Sequence, residues 1–541
     1  SMYHTRIDFT NEKRFTLSSP TKKVLQKLDD VVQVDVFLKG DFPSGFKKLA
    51  NSTAEILQEF KEVAGNKLGY NFISPDEEMP EASVKWGDTL SAIGLYPFNL
   101  KSQLKEGEKQ QLVYPVALIR DKDRVLPVRL YNGIPNIGQK EINSAEALLE
   151  YELANGIYKI TNEEKPMLAY SIGNGEPPVG SYITYDLVEN LLRPDYNLFT
   201  FTLNTQAVIP DTFKMLMIVK PTKPFSDQEK LKIDQFIMRG GKLLLFMDKL
   251  NAEMDSLRIK NEVIAYDRGL ELNDLLFKYG ARVNSDLVMD LQSDKLPFDV
   301  NGNGQFDFLT WNYFPVFASA SNHPVNKNIG FVSGKFVNSI DTVGAEGIKK
   351  TFLLSSSPNS RIIATPALIS GSENVNAPRD EKFNKANIPV AVLLEGKFQS
   401  LFSNRLSQAM NDSLKKYGSI FIPQNLYDNK IIIVADGDIP LNSVQKNEPL
   451  PMGMNPFTYG TQHQYPFANK EFIQNCLDYL INSSNLSEAK AKDYTLRLLD
   501  KKKVEAEMNF WKLINILVPV AIIVLFALLY QFIRRRKYTL A

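Results

Sequence analysis

The sequence is poor in the residues that bind metals or attack substrates. Of its 541 residues one is a cysteine, Cys476, and three are histidines, His4, His323 and His463. A single thiol cannot form an internal disulfide or supply a cysteine-based zinc site. The histidines show no H-x-x-x-H spacing, and no G-x-S-x-G elbow accompanies them. We therefore expect neither a zinc site nor a Ser-His-Asp hydrolase.

Other motifs of catalysis and cofactor binding are missing as well. The chain has no C-x-x-C and no G-x-x-x-x-G-K-[ST], and Ile172-Gly-Asn-Gly175 lacks the third glycine of a dinucleotide site. The 63 basic and 62 acidic residues leave a net charge of +1, without the basic excess that nucleic-acid binding requires. We expect no cofactor, no bound metal and no nucleic-acid partner.

One long uncharged run is present, from Leu513 to Tyr530, and Gln531 to Ile533 extend it. Roughly twenty helical residues cross the ~30 Å hydrocarbon core of a bilayer, so residues 511–533 are predicted to form a transmembrane helix. A basic tail, residues 534–541, follows it. Trp511 and Tyr530 are predicted to be interfacial aromatic residues of this anchor. Asn515 and Pro519 are tolerated inside a membrane helix, and the basic run Arg534, Arg535 and Arg536 closes the span.

Residues 1–160 are predicted to form an α/β domain. The strand-like run 31–38, the amphipathic segment 45–63 and the short strand 70–73 make a β-α-β unit. A hairpin, 111–119 with 124–131, and a helix at 144–154 follow. This order resembles a thioredoxin-like sheet that lacks the C-x-x-C motif.

Residues 161–484 are predicted to form a doubly wound α/β domain. The apolar runs Lys214–Lys220 and Lys242–Met247 are typical of strands buried on both faces, and a capping box opens the intervening helix at Ser226. Residues 285–385 are rich in Asn, Ser, Pro and Gly and are interpreted as an irregular β-rich insertion. Residues 485–510 are predicted to be a charged helical stalk that leads into the membrane span.

The candidate ligand loop is Asp436-Gly437-Asp438, which follows the buried strand 431–435. Open α/β sheets place ligand sites beyond the carboxyl ends of their strands. Two carboxylates across a glycine suit Mg²⁺ or Ca²⁺, but they also suit a turn in which aspartates accept backbone N–H groups. A second loop, residues 299–307, has the first nine positions of an EF-hand loop, but Thr310 replaces the final Glu. The alternative for this loop is a Gly/Asn-rich surface turn.

Six stretches together resemble the GldG family, auxiliary proteins of an ABC transporter linked to gliding motility in Bacteroidetes. They run in order through the whole chain: RIDFTNEKRFTLS, GGKLLLFMD, WNYFPVF, NHPVNKN, VADGD and the terminal RRRKY. The resemblance implies a periplasmic body held in the inner membrane, with a GldF-like permease and a GldA-like ATPase as partners. It also implies that the middle region is similar to the GIFT domain of intraflagellar-transport proteins, whose α/β sheet is amidotransferase-like.

The family usually has an N-terminal membrane helix too. Because Ser1 precedes Met2, we expect an upstream segment in the native protein. The run Arg534–Arg536 favours a cytoplasmic C-terminus, although Lys501 to Lys503 and Lys512 lie on the other side of the span.

The leading functional hypothesis is a non-enzymatic, membrane-anchored accessory subunit of an ABC transporter, acting in assembly or substrate handling. Whether it forms a homo-oligomer is left open. The alternative is an extracytoplasmic ligand-binding sensor that uses the Asp436–Asp438 loop. A hydrolase is a third class, but Cys476 falls within a predicted helix, residues 470–481, and not at a strand–helix elbow.

Overall fold

A computed structural model describes most of the chain. The described residues are 16–80, 82–93, 95, 97–104, 107–131, 139–162, 164–327, 329–371, 380–482, 486–491 and 501–538. The chain forms two compact units, residues 1–493 and 494–541. The predicted boundary near residue 160 falls within the first unit and stays a prediction.

The N-terminal region of the first unit is a small α/β structure. Its elements are α1 (Ser19–Gln26), β1 (Val32–Val36), α2 (Ser44–Ala64), β2 (Leu68–Phe72), β3 (Glu78–Met79), β4 (Ala82–Lys85), α3 (Trp86–Ala92), β5 (Phe98–Leu104), β6 (Gly107–Val113), β7 (Val116–Asp121), β8 (Arg124–Arg129) and α4 (Gln139–Thr161). Its four-stranded sheet has the order β2-β1-β7-β8, with β1 parallel to β2 and antiparallel to β7. The β-α-β unit and the β7–β8 hairpin are confirmed, whereas a thioredoxin-like identity stays a prediction.

One predicted strand of this region is wrong. Residues 111–119 are divided between β6, which pairs with β5, and β7, which pairs with β1. The break falls at Tyr114-Pro115. Proline has no N–H to give to a sheet ladder and therefore interrupts a central strand.

The rest of the first unit contains these elements: β9 (Met167–Ile172), α5 (Tyr185–Leu187), α6 (Arg193–Asp195), β10 (Asn197–Thr202), β11 (Phe213–Val219), α7 (Asp227–Met238), β12 (Lys242–Phe246), α8 (Met254–Lys260), β13 (Glu262–Ala265), α9 (Asn273–Tyr279), β14 (Ala281–Val283), β15 (Asp286–Asp290), β16 (Ser293–Phe298), β17 (Asp307–Ser319), β18 (Val332–Ser333), β19 (Ile340–Thr342), β20 (Ile348–Ser355), β21 (Ser360–Ala364), β22 (Ala367–Ser370), β23 (Pro389–Gly396), α10 (Gln408–Lys416), β24 (Asn429–Val434), β25 (Val444–Gln445), β26 (Glu448–Pro449) and α11 (Asn469–Ile481). Short 3₁₀ helices cover Gly65–Lys67, Tyr182–Thr184, Asp380–Lys382 and Leu486–Ala491, and a π-helical turn covers Val188–Leu192.

Ten strands form the main sheet. Five are parallel, in the order β10-β9-β11-β12-β24, and β23, β20, β17 and β16 continue the sheet with antiparallel pairing, while β18 pairs with β17. The interpretation of residues 285–385 as an insertion is therefore corrected, because β16, β17 and β20 are part of the sheet. Strand pairing with distant residues placed them there, which local composition cannot reveal.

The main sheet is buried on both faces. Along β11, Leu216 and Ile218 join the core beneath α7, whereas Met217 and Val219 join the core beneath α11. This alternation explains why the strand has no polar position after Lys214. The Ser226 capping box is confirmed, since its hydroxyl accepts from the Glu229 N–H while Glu229 accepts from the Ser226 N–H.

Of the predicted stalk, residues 485–510, the structure describes residues 486–491 and 501–510. Residues 486–491 form a 3₁₀ turn in which Leu486 and Ala489 are fully buried in the core of the N-terminal region. That segment is thus part of the body, because its apolar side chains are covered there. Residues 492–500 lie outside the described residues. The second unit contains α12 (Lys501–Tyr538), one helix through the apolar run with Pro519 inside it.

Helix α9 begins at Asn273, and the segment just before it is not helical. Gly269 and Glu271 both have positive φ angles, +66° and +58°, so this stretch cannot be right-handed helix.

Candidate functional site

Three neighbouring parallel strands end at one edge of the main sheet and are followed there by charged residues. Lys220 follows β11, Asp248 lies two residues beyond β12, and Asp436 lies two residues beyond β24. Since β11 pairs with β12 and β12 with β24, these side chains converge. We call Asp248, Asp436 and Asp438 the carboxylate cluster; one carboxylate oxygen from each lies within 4.8 Å of the others.

The ammonium of Lys220 lies inside this cluster. Its Nζ is 2.8 Å from both carboxylate oxygens of Asp438, 3.1 Å from Glu253 Oε2 and 3.5 Å from Asp248 Oδ2. The side chain is only 11% exposed. Lys220 has a φ of +45°, which is rare for a residue with a side chain. The surrounding ion pairs therefore hold Lys220 in an unusual backbone conformation.

Gly437 is required for this arrangement. Its N–H donates to Asp248 Oδ1 at 2.6 Å. A Cβ at this position would lie 2.7 Å from the Cβ of Lys220 and 3.0 Å from its Cα. Because these atoms belong to the strand end and not to a flexible tip, no side chain fits without moving the backbone of one loop.

Asp436 is fully buried and binds backbone groups. Its Oδ1 accepts from the Asp438 N–H at 2.6 Å and its Oδ2 from the Lys335 N–H at 2.8 Å. Burial, together with the charges of Asp438 and Asp248, raises the pKa of Asp436 well above its ordinary value. Asp436 thus accepts backbone N–H groups, as the turn interpretation of the Asp436–Asp438 loop predicts.

The other groups of the cluster titrate differently. Burial raises the pKa of Asp248 to about 6, with Lys220 opposing the shift. Burial also acts to raise the pKa of Asp438, but the Lys220 and Lys335 cations outweigh it and lower that pKa. For Lys220, burial is outweighed by the charges of Asp438, Asp248 and Glu253, so its pKa is raised.

The site holds nearly equal numbers of acidic and basic side chains. Four carboxylates, those of the cluster and of Glu253, face three cations, Lys220, Arg268 and Lys335. The raised pKa of Asp436 favours its neutral form and so opposes the excess of negative charge. Asp248 Oδ2 has no hydrogen bond within the described part of the chain, but Lys220 and Arg268, 3.9 Å away, provide ion pairs. Three carboxylates suit a hard cation in principle, but the Lys220 ammonium lies where that cation would bind.

A small surface depression, with a volume of about 20 Å³, lies beside the cluster. Asp438 and Lys335 border it, together with Asp294, Ser443 and Asn469. The Lys335 ammonium lies 3.5 Å from Ser443 Oγ and 5.9 Å from the centre of the Phe314 ring. A ligand in this depression would meet one cation and two carboxylates.

The structure brings together the predicted loop residues Asp436, Gly437 and Asp438, and it adds residues that sequence reasoning missed. These are Lys220, Asp248, Glu253, Arg268 and Lys335. The sequence could have indicated Lys220 and Asp248, since Lys220 ends one predicted buried strand and Asp248 directly follows another. Glu253, Arg268 and Lys335 lie in loops without such a signal.

The other candidate residues from the sequence make no hydrogen bond or ion pair with the carboxylate cluster in the described part of the chain. Asp299 accepts from the N–H groups of Asn303 and Gly304 at 3.1 and 3.0 Å, as a surface turn does, and the turn interpretation of this loop stays a prediction. Burial lowers the pKa of His323 to about 4, and its ring packs against Tyr479. Cys476 is buried within α11, and His4 lies outside the described residues.

The predicted anchor residues all lie on α12. Residues 510–536 form a 27-residue helical segment in which an 18-residue window has a mean hydropathy of 2.8 and is exposed. By length and composition this helix is able to cross a membrane. The basic tail continues the helix to Tyr538, and residues 539–541 lie outside the described residues.

Comparison with known families assigns the chain. Residues 165–476 match the model of the auxiliary-protein family ABC_transp_aux, described as "ABC-type uncharacterized transport system". This match covers more than half of the chain, so the protein belongs to this ABC transport auxiliary family. Residues 11–120 match DUF7088, a domain of unknown function. The family indicates an accessory role and association with an ABC transporter.

Individual relatives are distant. An uncharacterized protein of Borreliella burgdorferi is 21% identical over 98% of this chain and 94% of its own length. The mmIFT52 N-terminal domain is 11% identical over 58% of this chain and 97% of that domain, with a TM-score of 0.33. The exo-beta-1,4-mannosidase Op5Man5 of Opitutaceae bacterium strain TAV5 is 9% identical over 73% and 46%, with a TM-score of 0.19. Both TM-scores are too low to assign this chain to the fold of either structure.

Proposed function

We propose that this protein is a non-enzymatic, membrane-anchored accessory subunit of an ABC transporter complex, whose body acts outside the cytoplasm in assembly or substrate handling. The observation that carries the proposal is the family match over residues 165–476 in a chain that also contains α12. Nucleotide hydrolysis would take place on another chain, because this one has no P-loop.

The anchoring part of the proposal rests on α12. The predicted span, residues 511–533, is about 35 Å long at 1.5 Å per residue, enough for the ~30 Å hydrocarbon core with some tilt. Trp511 and Tyr530 suit the two interfaces, and Arg534–Arg536 favour a cytoplasmic C-terminus. The proposed location is therefore the inner membrane, with the body in the periplasm.

The non-enzymatic part rests on the charge balance at the carboxyl edge of the sheet. Lys220 is bound by Asp438 and Glu253 and is not available as a base, while Asp436 is occupied by backbone N–H groups. Burial raises the pKa of Cys476 well above its ordinary value, which opposes a thiolate nucleophile.

The finer identity of the complex follows from the resemblance to the GldG family. It supports a GldF-like permease and a GldA-like ATPase as partners, a role in gliding motility, and a GIFT-like middle region. Within the bilayer, Asn515 would hydrogen-bond to a permease helix, since polar side chains join membrane helices.

Crosslinking and co-purification from native membranes test the accessory role. We expect the protein to recover a permease and an ATPase in a defined ratio. Asn515→Leu should lower permease recovery without releasing the protein from the membrane, whereas the matched control Val518→Leu should change neither. Recovery of neither partner by membrane-bound protein would overturn the proposal.

Cysteine labelling tests the orientation. Cys476 is buried, so a single introduced cysteine provides the signal. Tyr427→Cys, at a residue that is 82% exposed, should react with an impermeant maleimide on intact spheroplasts. Tyr538→Cys should react only after the membrane is opened. The reverse result would place the body in the cytoplasm.

A ligand-binding sensor is the second candidate, favoured by the depression bordered by Lys335, Asp438 and Asp294. A thermal-shift panel of sugars, peptides and metals on the full chain would test it. Stabilisation by one compound that is lost in Lys335→Gln would favour the sensor. The matched control is Lys349→Gln, at a side chain that is 73% exposed, and it should keep the stabilisation.

A further inference from the structure

A second depression opens at the opposite, amino edge of the main sheet. Its volume is about 190 Å³, and its charged lining residues are Asp211, Lys214, Arg239 and Lys242, which we call the basic pocket. Lys214 belongs to β11 and Lys242 begins β12, while Arg239 ends α7. The pocket therefore lies at the far end of the strands that carry the carboxylate cluster.

The basic pocket is not neutral. Its one carboxylate, Asp211, binds Arg239 Nε at 2.5 Å, and the Arg239 Nη2 donates to the Ile209 carbonyl at 2.8 Å. Lys214 and Lys242 have no ion pair within the described ranges. Two lysines are thus left without a counter-ion in one cavity.

Lys242 is held in place by the fold. Its Nζ donates to Asn429 Oδ1 at 2.5 Å, and Asn429 in turn donates to the carbonyls of Ile237 and Gly241, both at 2.9 Å. One of its three N–H donors is thereby used. Burial and the nearby Lys430 cation lower the pKa of Lys242 to about 8. An anion beside Lys242 would stabilise the charged ammonium and so oppose this lowering of its pKa.

One part of the pocket wall is apolar, since Phe213, Phe236 and Leu480, all buried, line it. The rest of the lining consists of the charged residues and the Gly240-Gly241 backbone, and the Lys214 side chain is exposed. Lys430, the other cation close to Lys242, packs over the Tyr479 ring at 3.8 Å and adds to the positive potential.

We propose that the basic pocket binds a phosphate group, either as a free anion or as the headgroup of a lipid, through Lys242 and Lys214. Two ammonium groups suit a tetrahedral dianion, and lysine is a common phosphate ligand. The competing explanation is that the cations only complement the carbonyl ends of α7 and α11.

Calorimetric titration of the full chain in neutral-lipid nanodiscs, with sulfate and with inorganic phosphate, tests the proposal. We expect Lys242→Gln to weaken binding at least tenfold at pH 7. Lys242→Arg should retain binding, because it keeps the charge. Lys415→Gln, at an exposed lysine outside the pocket, is the matched control and should bind as the wild type does.

The pH dependence identifies the lysine. Sulfate keeps its charge near pH 8, so a change in its affinity reports on the protein. Since the Lys242 pKa is about 8, wild-type affinity should fall about tenfold from pH 7 to pH 9, whereas the affinity of Lys242→Arg should not change. The groups facing Lys242 that would share this effect are Lys214, Arg239, Asp211 and Lys430.

The source of the phosphate is distinguished by nanodisc composition. If the ligand is a lipid headgroup, phosphatidylglycerol nanodiscs should raise the unfolding midpoint above that in phosphatidylcholine, and Lys242→Gln should remove the difference. If it is a free anion, lipid composition should have no effect while phosphate and sulfate bind. Absence of binding in both arms, or equal binding by Lys242→Gln and Lys415→Gln, would overturn the proposal.

Discussion

The two edges of the main sheet treat lysine in opposite ways. At the carboxyl edge, Lys220 is surrounded by Asp248, Glu253 and Asp438, and its pKa is raised. At the amino edge, Lys242 has an amide partner and a neighbouring cation, and its pKa is lowered. Both lysines adjoin neighbouring parallel strands, so the difference comes from the loops that cover each edge.

This comparison teaches which edge is available to a ligand. The carboxyl edge is the place where α/β sheets commonly bind ligands, but here an internal cation fills it and Gly437 closes it. The amino edge keeps unneutralised charge beside a larger cavity. In this protein the charge balance, and not the position on the sheet, separates a structural network from a candidate binding site.

The largest expected effect is that of Lys220→Met. Removing the cation takes away the ammonium that lies 2.8 Å from Asp438 and leaves Asp248 and Glu253 with Arg268 as their ion-pair partner. Breaking such a pair costs about 3–5 kcal/mol of unfolding free energy. Urea unfolding measures the loss. Lys223→Met, at an exposed lysine three residues away, should leave the free energy nearly unchanged.

Divalent cations complete this test. If Lys220 is the resident cation, Mg²⁺ and Ca²⁺ should not stabilise the wild-type protein. Stabilisation of the wild type at millimolar concentration would contradict the internal ion pair and restore the metal-site interpretation of the Asp436–Asp438 loop.

Gly437→Ala should have the next largest effect. The added methyl group would lie 2.7 Å from the Cβ of Lys220, so one of the two loops must move. Overpacking of this kind costs about 1–3 kcal/mol. Thermal and urea unfolding should both show it. Gly344→Ala, where a Cβ meets nothing within 4 Å, is the control, and equal stability of the two variants would refute the close-contact argument.

The pH dependence of Asp248 provides a smaller effect. Its pKa is raised from 3.8 to about 6, so its contribution to stability is fully present below about pH 3.8 and is lost as the pH rises through 6. Acidification from pH 7.5 to 4.5 should therefore stabilise the wild type by about 1–3 kcal/mol relative to Asp248→Asn. Urea unfolding at both pH values measures this difference, and parallel profiles would exclude the shift.

The smallest expected effect is that of Lys242→Met, the counterpart of Lys220→Met. Replacing a partly buried cation that lacks a counter-ion with an apolar group is close to neutral, within about 1 kcal/mol. The same urea assay applies. A loss as large as that of Lys220→Met would show that the two edges do not differ and that Lys242 is a structural ion.

Local signals in the sequence predicted much of the framework. The β11-α7-β12 unit was predicted from two apolar runs and the Ser226 capping box, because burial on both faces removes polar residues from a strand. The position of Asp436–Asp438 at a strand end was predicted for the same reason. The cluster around it was not, since Arg268 and Lys335 reach Asp248 and Asp436 from loops without a local pattern.

What the sequence alone determined is what depends on nearest neighbours: the buried parallel strands and the apolar length of α12. Only the tertiary structure decided that β16, β17 and β20 extend the main sheet, that residues 486–491 belong to the body, and which lysine is neutralised. Periodicity records whether a side chain is covered. The partner that covers it, or the charge that faces it, can come from far along the chain, as Asp438 does for Lys220.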